Sequence, residues 1–127
     1  MKRAIILITV LTVVCLSIAI TVDLYEARTA ESYLEELRHV RKAVQSGDMV
    51  DARARESQMS ARWQHDSRVL NLFISHHHTR LVTTAMLQLS TAVEMEWQND
   101  ALKAIDLIQD ALEHVHDCDF YKWENIF

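Results

Sequence analysis

Residues 34–52 read LEELRHVRKAVQSGDMVDA, and this stretch decides the fold class. Leu34, Leu37, Val40 and Val44 step by three and four residues, which places them on one face of an α-helix. Charged residues fill the positions between. Ser46-Gly47-Asp48 then supplies a helix stop and a helix start. Glycine reaches the left-handed backbone conformation that closes a helix, and an aspartate after it caps the next one. Apolar spacing resumes at Ala52. The stretch is the turn of a helical hairpin.

Working outward, the first stripe extends back through Ala30 and Ala27. The second helix carries Ala52, Met59, Trp63, Leu70 and then Phe73 or Ile74. A polar run, Ser75-His76-His77-His78-Thr79, marks the next junction. A third stripe follows in Leu81/Val82, Ala85/Met86, Leu89, Ala92/Val93 and Trp97. Asn99 or Asp100 is expected to cap a fourth helix with Ala101/Leu102, Ile105, Ile108, Leu112 and Val115 on its apolar face. Gly47 is the only glycine and the chain has no proline. All-β and α/β folds need such residues in their turns and loops, so an all-α fold remains.

The four segments read as one hairpin written twice. A shift of roughly 49 residues lays Leu37 on Met86, Val40 on Leu89 and Val44 on Val93, and Met59 and Trp63 on Ile108 and Leu112. The expected architecture is an antiparallel four-helix bundle or two tandem helical hairpins. Trp63 and Trp97 are expected in the core.

Upstream, Lys2 and Arg3 precede Ala4–Val22, a run without a charged residue. At about 1.5 Å per residue it spans roughly 28 Å, close to the thickness of a bilayer's hydrocarbon layer. Every face is apolar, which argues against a buried core helix. Thr9, Thr12, Ser17 and Thr21 can return their hydroxyls to carbonyls of the preceding turn. Residues 1–22 are read as an uncleaved signal anchor in contact with membrane lipid through residues 4–22. The alternative is a cleaved secretory signal ending near Ser17-Ile18-Ala19. The flanking charges place the N-terminus in the cytoplasm and residues 23–127 outside as a helical domain. No proline or glycine lies between Val22 and Leu34, so the span is expected to run unbroken into the first helix of that domain.

Residues 23–127 hold all 18 acidic residues and 11 of the 13 basic ones, a net charge of −7. Bulk charge of that sign argues against a nucleic-acid partner. Among seven histidines, His76, His77 and His78 are consecutive, and His114 lies four residues before Cys118 on one helix face. His76, His77, His78, His114 and Cys118 form a candidate metal set, because imidazole and thiolate are zinc ligands. Against it stands the plainer reading of exposed histidines at a polar junction. Cys118 activated by His114 would be a thiol nucleophile, but no third orienting group accompanies the pair. No catalytic constellation, cofactor or small-molecule substrate is expected. The ending Phe120-Tyr121-Lys122-Trp123-Glu124-Asn125-Ile126-Phe127 is too rich in aromatic and apolar side chains for a solvated tail. Trp123, Asn125, Ile126 and Phe127 either fold back on the bundle or dock on a partner, an envelope membrane protein or a second copy of the chain.

The basic start, the single apolar segment, Trp63, the turn Ile74-Ser75-His76 and the ending Glu124-Asn125-Ile126-Phe127 resemble domain of unknown function 4363. That is a family of small membrane-anchored bacterial proteins, mostly from spore-forming Gram-positive lineages. Its pattern has acidic residues after the turn histidine, where this chain has His77 and His78. The resemblance implies a helical, membrane-anchored architecture and a shared structural job for His76 and the ending. It implies no activity.

Overall fold

The computed structural model describes residues 1–124, and from Val115 onward their backbone without side chains. Among the described residues there are four helices and no strand: α1 (Lys2–Gln45), α2 (Met49–Leu70), α3 (His76–Glu94) and α4 (Gln98–Glu124). Each helix packs on its neighbours in a ring. α1 lies against α2 and α4, and α3 lies against α2 and α4. Contact between α1 and α4 closes the ring, so the hairpins form an antiparallel four-helix bundle and not an open solenoid.

The repeat is visible in the backbone. α1 ends with Gly47 at φ 78°, and α3 ends with Glu96 at φ 59°. Gly47 N–H donates to Val44 O and Asp48 N–H to Ala43 O; Glu96 N–H donates to Val93 O and Trp97 N–H to Ala92 O. Both ends are the same Schellman closure, with two amides beyond the helix satisfying carbonyls of its last turn. Buried sets follow the same shift. Tyr33, Leu37, Val40, Ala43 and Val44 in α1 correspond to Val82, Met86, Leu89, Ala92 and Val93 in α3. Ala52, Met59 and Trp63 in α2 correspond to Ala101, Ile108 and Leu112 in α4.

Three assignments need correction. Trp97 is 53% exposed instead of core. It follows the closure of α3 and occupies the N-cap position of α4, which Asp48 holds in the first hairpin, so the apolar stripe of α3 has already ended at Val93. Asn99 and Asp100 lie within α4 and not at its cap. Phe73 is exposed, because α2 ends at Leu70 and the following turn points Phe73 outward while Ile74 is partly buried.

The two hairpin ends are knitted together at one end of the bundle. Gln98 Nε2 donates to Val44 O at 2.8 Å, and Arg53 Nη2 donates to Glu94 O at 3.4 Å. Each hairpin thus satisfies a terminal carbonyl of the other. Along the side, Arg41 ties α1 to α4 through Asp106 Oδ1 at 2.6 Å and Gln109 Oε1 at 3.2 Å.

α1 is unbroken through the expected boundary at residue 22. Its 44 residues span about 66 Å. None of its most apolar 18-residue window is buried, and its first buried residue is Glu26. α1 is therefore long and apolar enough to be a membrane span or signal anchor. The four hydroxyls of that segment behave as expected: Thr9, Thr12, Ser17 and Thr21 donate to Ile5 O, Ile8 O, Val13 O and Ser17 O at 2.7 to 2.9 Å.

Candidate functional site

Two constellations of polar side chains interrupt the apolar core and its rim. The first clasps α1 to α2. Tyr33 is fully buried, with its ring edge-on to Trp63 at 5.3 Å between centroids. Its hydroxyl donates to Asp66 Oδ2 at 2.7 Å. The guanidinium carbon of Arg62 lies 4.1 Å from the Tyr33 ring centroid, and Arg62 Nη1 donates to Glu36 Oε1 at 2.7 Å. Trp63 Nε1 donates to Thr83 Oγ1 at 2.8 Å, which brings α3 into the same network. Burial, and then the Asp66 carboxylate, push the Tyr33 phenol well above its ordinary range, while Arg62 pulls the other way. The proton stays on the tyrosine at neutral pH, and the cluster clasps α1 to α2 and α3.

Sequence reading found Trp63 in this cluster and missed Tyr33, Arg62 and Asp66. Tyr33 sits beside Leu34 in the sequence, and the spacing Leu34–Leu37–Val40–Val44 draws the stripe through the leucine. The spacing Tyr33–Leu37–Val40–Val44 is equally helical and describes the buried face better. Glu56 is also buried, at a position corresponding to Ile105, and accepts from Ser60 Oγ. Nothing in the local pattern distinguishes it from an exposed glutamate.

The second constellation is a groove of about 450 Å³ between the start of α3 and α4. Leu81, Ala85, Leu107 and Ala111 form its apolar walls, and His77, His78, Asp110 and His114 stand among its polar groups. The antiparallel pairing of α3 with α4 brings the histidine run level with His114, although 36 residues separate His78 from it. The rings of His77 and His78 meet edge to face at 5.8 Å. His114 Nδ1 lies 2.9 Å from Asp110 O and 3.4 Å from Asp110 Oδ1. Donation from Nδ1 to that carbonyl corresponds to the tautomer with its hydrogen on Nδ1.

Of the expected metal set, the structure brings His77, His78 and His114 to one groove, while His76 does not line it. No three histidine, cysteine, aspartate or glutamate side chains approach closely enough to hold an ion, among the described residues. The side chains of Cys118 and Trp123 lie outside the described residues, as do Asn125, Ile126 and Phe127 entirely.

With the bundle and its groove defined, comparison with known proteins adds one finding. The family model described as domain of unknown function (DUF4363) matches residues 22–126. The chain belongs to this family. The DUF4363 match begins at the last residue of the apolar run and covers all four bundle segments. No curated protein and no solved structure shows significant similarity to the chain.

Proposed function

We propose that this DUF4363 protein is a membrane-tethered, non-catalytic interaction module of the bacterial cell or spore envelope. It would hold its helical bundle at the outer membrane surface and bind another envelope membrane protein or a second copy of itself. The supporting observation is the continuity of α1. Its apolar part is packed against no other part of the protein among the described residues, and the same helix becomes a wall of the bundle without a break. A flexible linker would suit a domain that searches for substrate, whereas a rigid junction suits one held beside a fixed neighbour. The basic pair before the span supports a cytoplasmic N-terminus with the bundle outside.

The ending Trp123, Asn125, Ile126 and Phe127 is the assigned docking element. Co-purification from solubilised membranes tests it, comparing the full chain with one lacking residues 123–127. Loss of a co-purifying protein, or of self-association, on truncation is the expected result. Identical, partner-free preparations of both chains would reject the docking role.

A second reading is an extracytoplasmic metal-binding or metal-sensing domain using His76, His77, His78, His114 and Cys118. The observation favouring it is the groove shared by His77, His78 and His114. Elemental analysis of the full chain, purified without a histidine tag, decides it: absence of stoichiometric zinc, copper or nickel removes this reading.

A further inference from the structure

The α2–α3 turn exposes two large apolar side chains, Leu72 at 76% and Phe73 at 52%. Its height above the membrane follows from the packing. Leu70, Ile74 and Thr79, which bracket the turn, line one small cavity with Glu26 and Ala30 of α1. The turn therefore lies level with Glu26 or below it. Glu26 is four residues beyond Val22, where the apolar run ends, a rise of about 6 Å. The polar headgroup layer on each face of a bilayer is about 5 to 7 Å thick. With residues 4–22 in the hydrocarbon, the headgroup layer therefore reaches the turn.

α1 is apolar at the same height, where Leu24 and Tyr25 are exposed. Tyrosine is a preferred residue of the membrane interface, with an apolar ring and a polar tip. Exposed Arg68, in the last turn of α2, and exposed Arg80, in the second turn of α3, flank the turn and suit phosphate-bearing headgroups.

We propose that the α2–α3 turn is a second membrane contact, with Leu72 and Phe73 inserted in the headgroup layer of the bilayer that holds residues 4–22. The inference rests on the anchored reading of α1 and is independent of any protein partner. Two contacts on different helices would fix the tilt of the bundle, which a single span leaves free to vary.

Spin labelling of the full chain tests this. Cys15 and Cys118 are replaced by serine, and single cysteines are introduced by Leu72→Cys, Phe73→Cys, Met95→Cys and Leu11→Cys. Each variant carries a nitroxide and is reconstituted in vesicles of phosphatidylcholine and phosphatidylglycerol in equal amounts. Circular dichroism confirms the helical fold. Met95 is exposed on the far hairpin turn, so it offers the same label chemistry away from the bilayer. Expected at positions 72 and 73 is a reversal relative to 95, with collisions with lipid-dissolved oxygen exceeding those with a water-soluble nickel chelate. Aqueous behaviour at 72 and 73 matching that at 95 overturns the proposal. Shielding from both collision partners indicates cover by a second copy, which also overturns it. Aqueous behaviour at position 11 removes the anchor itself, a failure distinct from loss of the turn contact.

Discussion

Replacing Gly47 by alanine isolates the energetics of the hairpin closure. Gly47 sits at φ 78°, and a Cβ built on it meets no atom within 4 Å. The cost is therefore the local one of the left-handed backbone, with no clash against the rest of the bundle. An L-residue in the left-handed region costs about 1–2 kcal/mol. Alanine also reduces the freedom of the unfolded chain, which returns about 0.4–1 kcal/mol. Gly47→Ala should then destabilise the bundle by about 0.5–1 kcal/mol, lowering Tm by roughly 3–6 °C for a domain of this size. Thermal unfolding of the full chain in detergent micelles, followed by circular dichroism, measures it. The second hairpin provides the converse. Glu96 holds the same position at φ 59°, and its contact with Arg53 is a long one, 3.9 Å between well-exposed side chains. Such a pair contributes little. Glu96→Gly should accordingly be neutral or stabilising by up to about 1 kcal/mol. Stabilisation by Gly47→Ala, or a loss above about 3 kcal/mol, would refute the torsional account. Destabilisation by Glu96→Gly of more than about 1 kcal/mol would refute the equivalence of the two turns.

Three further outcomes are expected in the same assay. Trp63→Ala removes a buried ring and its bond to Thr83, costing about 3–5 kcal/mol, a large share of a typical domain stability of about 5–15 kcal/mol; a loss under about 1 kcal/mol would show that the clasp is dispensable. Trp97→Ala should change stability by less than about 0.5 kcal/mol, as for most surface substitutions, while Trp97→Asp should add about 0.5–1 kcal/mol by supplying the missing N-cap. Tyr33→Phe should alter the alkaline limb of stability. The folded-state pKa of Tyr33 is raised, so its contribution is fully present below the unfolded value of about 10 and is lost as pH rises beyond it. Wild type should weaken above that pH more steeply than Tyr33→Phe, and parallel curves would show that the phenol does not carry the effect.

Much of the fold was legible because the helix period and the turn chemistry agree. The stop at Gly47 and the cap at Asp48 stand in the structure as the sequence predicts, and the 49-residue shift maps one hairpin on the other residue by residue. Bundle and solenoid differ only in whether α1 meets α4, a contact between segments far apart in sequence that periodicity does not encode. Trp97 misled because apolar size suggests burial, yet its helix had already closed without a glycine to announce the stop. Glu96 reaches the left-handed conformation there despite its Cβ. The groove was legible in its ingredients, His77, His78 and His114, and not in its geometry. Antiparallel pairing selects which histidines meet, and it leaves His76 outside. The clasp was least legible, because Tyr33, Arg62 and Asp66 become a set only when α1 and α2 lie side by side.

An unbroken α1 also locks rotational phase. Each residue of an α-helix turns the chain by about 100° and lifts it by about 1.5 Å. The azimuth of every bundle face is thus set by the face of the span beneath it, and a neighbour packed on residues 4–22 would always meet the same side of the bundle. Inserting one alanine after Asp23 would swing the bundle by about a quarter-turn while raising it barely at all. Seven would raise it by about 10 Å and restore the azimuth to within about 20°. The two insertions separate height from heading, and a protein whose work depends on facing a neighbour should tolerate the second better than the first.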